Sequence, residues 1–328
     1  MKETDIIAAI RKHLKRSARQ RMGAFEADAE IAEIGGQVLA FTADDFSAED
    51  AMAAGDPPPE LLGWNVVTAT LSDLLAVGAR PEFMLHSLVV TAEMDAGVLE
   101  GISAGVQEAL DAFGAAMLGG DVGTGERWRY AGFAVGSFGQ GAAPLSRRIP
   151  VGEGLVVATG TVGDANLAAA QGLAAPRFEC RLAESRRIAA GAAACIDTSD
   201  GLAKAVETLA ELNPQLRVAI DLDAISYAEG SADFAATAGV RPEALLFGSA
   251  GEYELLACVP RRHGQRLLEG GGLTAIGTFG RRGPPGIYYR RRGARKPIPA
   301  PCVPDPREIG DRKDYRQAVI TLTQRIFG

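Results

Sequence analysis

The order of hydrophobic and polar positions predicts strands alternating with helices in the first half of the chain. Residues 37–45, QVLAFTADD, are an apolar run that ends in acids, which is typical of a buried strand. Residues 57–79 begin with prolines and continue as a long apolar helix that ends near Gly78. Residues 96–113 carry apolar side chains at helical spacing. Further strands are predicted at 82–90, 115–123 and 128–139, and an amphipathic stretch at the N-terminus carries Ile6, Ile7, Ile10 and Leu14 on one stripe.

A similar alternation follows residues 139–154, a segment that is rich in glycine and proline and has little periodicity. We place a domain boundary there, with an N-terminal domain over 1–145 and a C-terminal domain over 146–328. Because some predicted strands follow one another directly, we expect mixed sheets with helices on one face, an α+β fold rather than a doubly wound one. The second half is predicted to contain helices at 182–194, 201–212 and 261–269 and strands at 155–160, 194–197, 217–222, 253–260 and 273–280.

Composition and charge narrow the class of protein. The chain has 328 residues, of which 47% are apolar and 23% charged, a globular balance that allows two substantial cores. The formal net charge of −7 argues against a general nucleic-acid-binding protein. Two basic segments, 11–21 and 290–296, are interpreted as a solvated helix face and an exposed hairpin, with contact to an anion as the alternative.

Cysteine usage and the N-terminus predict a cytoplasmic protein. The four cysteines form no Cys-x-x-Cys pair, and no histidine stands near them with zinc spacing. No apolar run approaches the roughly 20 residues of a membrane span, and the chain begins without the apolar core of a signal peptide. We therefore expect no membrane partner.

Five aspartates at predicted strand ends, at turns or within a helix are candidate magnesium ligands: Asp28, Asp44, Asp73, Asp121 and Asp200. Magnesium keeps several waters and binds through a few carboxylates together with substrate phosphates. Asp73 is the hardest to explain otherwise, because it shares a helical stripe with Val66, Thr70 and Val77. An unpaired carboxylate among apolar neighbours costs roughly several kcal/mol, so Asp73 needs a metal ion or a salt-bridge partner.

The other acids have local alternatives. Asp200, in the segment IDTSDGL at 196–202, is a good N-cap for a helix beginning at Gly201. Asp44 and Asp45 end a strand, where acids are often only solvated. Asp121 follows two glycines, so the backbone there either turns tightly or approaches another group, such as a phosphate, closely.

A small-residue loop in LFGSAGEYELLACV, residues 246–259, is a second candidate anion contact. The backbone N–H groups of residues 248–251 can face an anion, and a tight turn that leads into a strand is the alternative. The chain contains neither a P-loop motif nor a G-x-G-x-x-G segment that opens a helix.

Taken together and in this order, the segments resemble the family of aminoimidazole-ribonucleotide synthetase relatives, and within it the thiamine-monophosphate kinases. The specific matches are LLGWNVVTATLSDLLAVGARPEFMLHSLVV at 61–90 and IDTSDGL at 196–202, with GGDVGTG at 119–125 and YELL at 253–256 in support. The resemblance implies an N-terminal α/β domain whose strands pair with a second subunit in a barrel-like homodimer. It also implies a C-terminal α+β domain packed beside the first.

The resemblance further implies a cleft for ATP, with Mg²⁺ between its phosphates and the acids of the first domain. The five aspartates match acidic positions of the family as metal ligands, with Asp121 and Asp200 assigned to catalysis. Asp200 is expected both to cap its helix and to reach the metal, whereas Asp197 is expected to support the loop. The residues implied to bind the cofactor are Gly119, Gly120, Asp121, Thr198, Ser199 and Asp200.

The sequence departs from the family at four motifs. Where the family has an early GDD motif, this chain has EADAE around Asp28. Where the family has TTD, this chain has Thr42-Ala43-Asp44. A His-Phe pair is replaced around Ala51-Met52, and GGEDYEL becomes GSAGEYEL, which leaves Glu252. These differences leave the acceptor open, as a small phosphorylated or carboxylated molecule.

The predicted activity is ATP-dependent phosphoryl transfer to a small acceptor, because such chemistry needs positioning and electrostatics more than a protein nucleophile. Arg147 or Arg148, near the predicted domain junction, is the candidate side chain for holding an acceptor anion. Two alternatives remain: an ATP-dependent amide-activating synthetase, which performs a condensation or cyclisation, and a nucleotide-binding relative without turnover.

Overall fold

A computed structural model of the protein describes residues 9–10, 12–47, 51, 55–150, 152–291, 294–297, 304 and 312–327. Its secondary structure is α+β, with one mixed sheet of five strands and another of seven. Ile6 and Ile7 of the predicted N-terminal stripe lie outside the described residues, while Ile10 and Leu14 are exposed.

The first half of the chain folds into a mixed sheet with helices on one face. Its elements are β1 (Glu30–Ile34), β2 (Gln37–Ser47), α1 (Pro59–Ala76), β3 (Arg80–Val90), α2 (Ala96–Phe113), β4 (Ala116–Thr124) and β5 (Arg129–Ser137). The strand order is β1-β2-β5-β3-β4, and only β3 and β4, which α2 connects, run parallel. These bounds confirm the strands and helices predicted for this half to within a few residues.

The second half forms the larger sheet, in the order β12-β11-β8-β10-β6-β9-β7. Its strands are β6 (Glu153–Thr159), β7 (Ala194–Asp197), β8 (Arg217–Asp221), β9 (Leu255–Pro260), β10 (Leu273–Gly280), β11 (Gly286–Arg291) and β12 (Ala294–Pro297). Its helices are α3 (Asp164–Gln171), α4 (Leu182–Gly191), α5 (Leu202–Leu212), α6 (Ser231–Ala238), α7 (Arg261–Leu268) and α8 (Arg312–Phe327), with 3₁₀ turns at Leu222–Ala224 and Pro242–Phe247. The antiparallel pair β11–β12 is the hairpin expected of the second basic segment.

Helix α1 is the central element of the fold. It is buried along almost its whole length, because it contacts the first sheet, α2, α4 and β7. A helix that is apolar on all sides is expected in such a position. One hydrophobic core surrounds α1 and continues into β6, β7 and β9, so it crosses the predicted boundary at residue 145. The domain division itself stays a prediction.

Two glycines let α1 and α2 approach each other closely. A Cβ atom on Gly63 would lie 2.0 Å from the carbonyl oxygen of Ile102, and one on Gly105 would lie 1.9 Å from that of Glu60. Real side chains do not fit at these distances, so the crossing of the two helices requires glycine on both.

The other face of the first sheet is apolar and exposed in the single chain. Phe83, Leu85 and Phe133 are 44%, 42% and 44% exposed, and the register of β3 and β5 pairs Leu85 with Phe133. Soluble proteins rarely leave a contiguous apolar patch of this kind in water. Within the described part of the chain, no helix has the length and apolar character needed to cross a bilayer.

Candidate active site

Three carboxylates from distant parts of the chain converge beside α1. Asp28 precedes β1, Asp73 lies in the last turns of α1, and Asp197 is the final residue of β7. One carboxylate oxygen from each lies within 4.8 Å of the others. The cluster therefore joins the first half of the chain to the second, and it forms only when β7 packs against α1.

Neighbouring hydroxyl groups orient the carboxylates. The Thr42 hydroxyl donates to Asp73 Oδ2 at 2.5 Å. Asp197 accepts from the Ser72 hydroxyl at 2.7 Å and from the Ser199 hydroxyl at 2.8 Å. Ser72 and Asp73 are adjacent in α1, so one turn of helix both supplies an acid and holds another acid in place.

The cluster carries more negative charge than its surroundings neutralise. Burial raises the pKa of Asp73 well above its usual range, and the charges of Asp197 and Asp28 add to the effect. Burial raises the pKa of Asp28 to about 6, against the opposing effect of the Arg147 guanidinium. A single arginine therefore leaves part of the negative charge of these three carboxylates uncompensated.

A hard cation fits this donor set. Arg147 forms a bidentate ion pair with Asp28, with Nη2–Oδ1 at 2.7 Å and Nε–Oδ2 at 3.2 Å. Each carboxylate oxygen can accept two bonds, so Asp28 keeps capacity for a metal. Oxygen ligands of this type match magnesium, and the raised pKa values show the charge deficit that a cation would remove.

Two more predicted acids lie beside this cluster. Asp44 is on β2, two residues from Thr42, and its charge contributes to the raised pKa of Asp73. Asp200 follows Asp197 in an exposed loop, and the charges of both contribute to the raised pKa of Tyr253. The structure thus brings Asp28, Asp44, Asp73 and Asp200 to one region, while their binding of metal stays a prediction.

Asp121 lies in another part of the fold. It is exposed on the edge strand β4, where it pairs with Ser87, and β4 is three strands away from the β2 strand of Asp44. Three strand spacings amount to about 14 Å. Gly119 and Gly120 do not form a turn, because they lie within β4, and a Cβ atom on Gly120 would lie 1.9 Å from the carbonyl oxygen of His86. The catalytic and cofactor-binding roles of Gly119, Gly120 and Asp121 stay predictions.

The structure extends one assignment made from the sequence and corrects another. Asp197 does support its loop through Ser199, but it also stands within the carboxylate cluster. Gly201, not Asp200, occupies the N-cap position of α5. The guanidinium of Arg147 pairs with Asp28, and Arg148 binds Glu26 and the Leu212 carbonyl; the contact of either arginine with an acceptor anion stays a prediction.

The loop after β7 packs against the small-residue loop before β9. The Thr198 N–H donates to the Glu254 carbonyl at 2.8 Å, and the Glu254 N–H donates to the Thr198 hydroxyl at 2.9 Å. A Cβ atom on Gly201 would lie 2.2 Å from the Gly248 carbonyl oxygen. Thr198 and Ser199 therefore have structural roles. Their contact with a cofactor stays a prediction.

A cavity of about 530 Å³ has Tyr253 in its wall, and none of Asp28, Asp44, Asp73, Asp197 and Asp200 lines it. Its wall includes Phe46 of β2, Phe178, the loop Gly248–Gly251 and Tyr253. Its volume is that of a small-molecule site.

Tyr253 connects the cavity to the carboxylates. Its ring packs on Phe178 with centroids 4.7 Å apart, and burial raises the pKa of its phenol, as do the charges of Asp44 and Asp197. Its φ of 53° lies in the left-handed region, which is uncommon for a residue other than glycine. Such a conformation is held only where the surrounding structure enforces it, and it occurs often at functional sites.

Sequence reasoning did not give a role to Tyr253 or Ser72. Tyr253 was visible only as part of the YELL match, and its unusual backbone has no local sequence signal. Asp197 did carry a signal, because it ends a buried apolar strand three residues before a second aspartate. The spacing did not tell which of the two acids points into the protein.

Comparisons with known proteins agree with this architecture. Residues 26–138 match the family described as AIR synthase related protein, N-terminal domain. Thiamine-monophosphate kinase of Archaeoglobus fulgidus is 30% identical over 216 residues, which cover 61% of this chain and 69% of that protein. The Pyrococcus abyssi thiamine-monophosphate kinase is 27% identical over 282 residues, which cover 81% and 85% of the two chains.

Solved structures share the fold. The complex of AaThiL with AMPPCP and TMP superposes with a TM-score of 0.74 and 22% identity, covering 90% of this chain and 94% of that one. At 22% identity this structural similarity shows the fold only. The family is shown by the archaeal relative that is 30% identical. The chain thus belongs to the thiamine-monophosphate kinase family, with the N-terminal domain of AIR synthase-related proteins.

Proposed function

We propose that this chain catalyses ATP- and Mg²⁺-dependent phosphoryl transfer to a small-molecule acceptor. The observation that carries the proposal is the convergence of Asp28, Asp73 and Asp197, together with Tyr253, which lines a cavity of ligand size and lies within reach of the charges of Asp197 and Asp73. The family of the chain and its likeness to a protein solved with AMPPCP and TMP support the same activity.

Asp28, Asp73 and Asp197 would hold magnesium, with Asp44 and Asp200 beside them. Bound there, magnesium neutralises charge on the transferring phosphates. Ser72, Thr42 and Ser199 fix the carboxylates through the hydrogen bonds they donate, so that the ligands need little rearrangement. Arg147 compensates part of the negative charge of the cluster through its ion pair with Asp28.

The acceptor we propose is a small monophosphate that enters the cavity and presents its phosphate to the acids. An oxygen of the acceptor phosphate attacks the γ-phosphorus of ATP and forms the new P–O bond. The bond from the γ-phosphorus to the bridging oxygen breaks, and ADP leaves with that electron pair. The Gly248–Gly251 loop lies at the cavity wall, where the Ala250 N–H donates to Asn166 and the Gly248 N–H donates to the Leu245 carbonyl, so these two groups are already paired.

We also propose a homodimer that pairs through the apolar face of the first sheet, with domains at 1–145 and 146–328. The exposure of Phe83, Leu85 and Phe133 supports this interface. Asp121 pairs with Ser87 in the same sheet, and within one subunit it is far from the carboxylate cluster. Gly119, Gly120 and Asp121 would then contact nucleotide near the subunit interface.

Asp73→Asn tests the metal site directly. We expect the affinity for AMPPCP in the presence of Mg²⁺ to fall at least about 100-fold, because a ligand is lost from the centre of the cluster. Calorimetry measures the affinity, and release of ADP over a panel of small monophosphates measures turnover. The fold should survive, since removing one charge relieves repulsion from Asp28 and Asp197.

The matched control is Asp45→Asn. Asp45 is exposed on the same sheet and pairs with Arg129, so its variant should bind the nucleotide as the unmodified protein does. Unchanged affinity in Asp73→Asn would reject the metal site. The product distinguishes the chemistry: a stable phosphorylated acceptor supports the kinase, and a dehydrated product with released phosphate supports the synthetase.

A further inference from the structure

Tyr253 stands between the cavity and the loop that carries Asp200. It lines the cavity, and its ring packs on Phe178 with the centroids 4.7 Å apart. A Cβ atom on Gly251 would lie 2.9 Å from Tyr253 Cε2, 3.0 Å from Tyr253 Cζ and 2.6 Å from the Ser199 carbonyl oxygen. Because Cζ carries the hydroxyl group, the polar end of the ring is held beside the loop after β7.

The backbone fixes this position of the ring. Tyr253 has a φ of 53°, in the left-handed region that a residue with a side chain rarely adopts. Both of its neighbours are bonded to Thr198: the Glu252 N–H donates to the Thr198 carbonyl at 3.2 Å, and the Glu254 N–H donates to the Thr198 hydroxyl at 2.9 Å. The phenol and the loop after β7 are therefore held in a fixed relation, as a catalytic group requires.

The Tyr253 hydroxyl is a hydrogen-bond donor at neutral pH. Burial raises the pKa of the phenol well above its usual range, and the negative charges of Asp44, Asp197, Asp200 and Asp73 raise it further. The hydroxyl therefore keeps its proton, and it offers an uncharged donor within reach of four carboxylates.

An acceptor phosphate that approaches the γ-phosphate of ATP must enter this negative field. A phosphate monoester carries a charge of about −1.5 to −2 at neutral pH, so the carboxylates repel it. Magnesium would neutralise part of the charge. An O–H donor stabilises a phosphate oxygen without adding negative charge, and a hydrogen bond to an ionised acceptor is stronger than one between neutral groups.

Other polar side chains of the cavity wall differ from Tyr253 in their surroundings. Asn65 and Asn166 are already hydrogen-bonded within the protein. Gln171 and Arg316 also line the wall, where both are exposed, on α3 and α8 respectively. Because Arg316 is cationic, it is the alternative contact for the acceptor phosphate, and a variant can test it.

We propose that Tyr253 is a catalytic residue whose hydroxyl donates a hydrogen bond to the acceptor phosphate and holds its attacking oxygen towards the γ-phosphorus of ATP. The inference rests on the proposed phosphoryl transfer and adds a residue to the same site. The phenol keeps its proton throughout and forms no covalent bond. Removal of the hydroxyl should therefore weaken the contact with the acceptor and leave the nucleotide in place.

Tyr253→Phe tests the proposal, because it removes the hydroxyl and keeps the ring that packs on Phe178. Calorimetry with the full chain, in the presence of AMPPCP and Mg²⁺, measures binding of thiamine monophosphate and of benzyl phosphate. We expect the affinity for both monophosphates to fall at least about 10-fold, which corresponds to about 1.4 kcal/mol. The affinity for AMPPCP with Mg²⁺ should stay unchanged.

Tyr288→Phe is the matched control. Tyr288 lies on β11, where its ring is 4.2 Å from the Arg217 guanidinium, and its variant should bind nucleotide and monophosphates as the unmodified protein does. An equal loss of nucleotide affinity in Tyr253→Phe would show that the hydroxyl positions the metal ligands, and would overturn the proposal. Unchanged monophosphate affinity in Tyr253→Phe, or a loss confined to Arg316→Gln, would overturn it as well.

Turnover separates failure of the inference from failure of the function. ADP release is measured with ATP, Mg²⁺ and each monophosphate, and kcat/KM should fall at least about 10-fold in Tyr253→Phe. Weaker monophosphate binding in the variant, without ADP release by the unmodified protein, would reject the phosphoryl transfer and retain the contact with the phosphate. Turnover with the same kcat/KM in both proteins would reject the role of Tyr253 and retain the transfer. If the unmodified protein bound neither monophosphate, both would be rejected.

Discussion

The buried acids of this protein differ in pKa because their surroundings differ. Asp28 and Asp73 both lie buried in one cluster, but a bidentate arginine compensates only Asp28 directly. Glu252 is buried after the Gly248–Gly251 loop, and hydrogen bonds from the Gly163 N–H and from Asn166 stabilise its charged form only partly. Burial raises the pKa of Glu252 to about 8, so this acid is mostly protonated near neutral pH.

Glu252 should make stability depend on pH. Its pKa is about 8 in the folded protein and 4.5 in the reference state, so the folded protein holds a proton that the unfolded chain releases. The contribution of Glu252 to stability is complete below pH 4.5, is lost progressively as the pH rises to about 8, and stays lost above that. Glu252→Gln should therefore raise the unfolding free energy at pH 9 by on the order of 3 kcal/mol and have little effect at pH 4.

Denaturant unfolding at a series of pH values measures this effect. Glu269→Gln changes an exposed glutamate after α7 and serves as the control. If the difference between Glu252→Gln and the unmodified protein were the same at pH 4 and pH 9, the assignment of Glu252 would be wrong.

Among the elements, α1 positions the site. One face of its last turns carries Ser72 and Asp73 to the carboxylate cluster, while its first half packs against α2 through glycine. Ser185 of α4 also donates to the Leu75 carbonyl at 2.7 Å, which ties the helix to the second half of the chain. A displacement of α1 would therefore move two residues of the site at once.

Gly105→Ala tests the coupling between this helix crossing and the site. The added Cβ would meet the Glu60 carbonyl at 1.9 Å, so α1 and α2 must separate. We expect a loss of stability of about 3 kcal/mol and weaker Mg²⁺-dependent binding of AMPPCP, measured by thermal unfolding and calorimetry. Ser103→Ala, at an exposed position of α2, is the control and should change neither property. A Gly105→Ala protein as stable as the control would contradict the close packing.

For the whole molecule, the two faces of the first sheet have opposite surroundings. Helices α1 and α2 bury one face, and the other presents aromatic and aliphatic side chains outward. A face of this composition gains free energy when another apolar surface covers it. In the proposed homodimer, two-fold symmetry would place the same face of a second copy against this one.

Phe133→Glu should weaken this dimer. A buried, unpaired carboxylate at the centre of the proposed interface costs several kcal/mol, roughly, so the dissociation constant should rise by at least about 100-fold. Analytical ultracentrifugation over a range of protein concentrations measures the change. Leu14→Glu places the same charge on another exposed apolar residue and is expected to leave the dimer intact. A monomeric unmodified protein, or a Phe133→Glu protein that dimerises normally, would reject the proposed interface.

The sequence by itself determined most of the elements and singled out acids whose positions call for a partner. Strands and helices followed from apolar periodicity, because periodicity records which face of an element is buried. Asp73 was recognisable as unusual because its helical stripe is apolar. These are short-range properties, and the neighbouring residues are enough to express them.

Only the tertiary structure decided which acids meet. Asp197 joins Asp28 and Asp73 because β7 packs on α1, and Asp121 lies apart because β4 is at the far edge of its sheet. The cavity wall likewise combines β2, the loop before β9 and α8, which are far apart along the chain. Such convergence depends on how whole elements pack against each other, and no local pattern of residues carries that information.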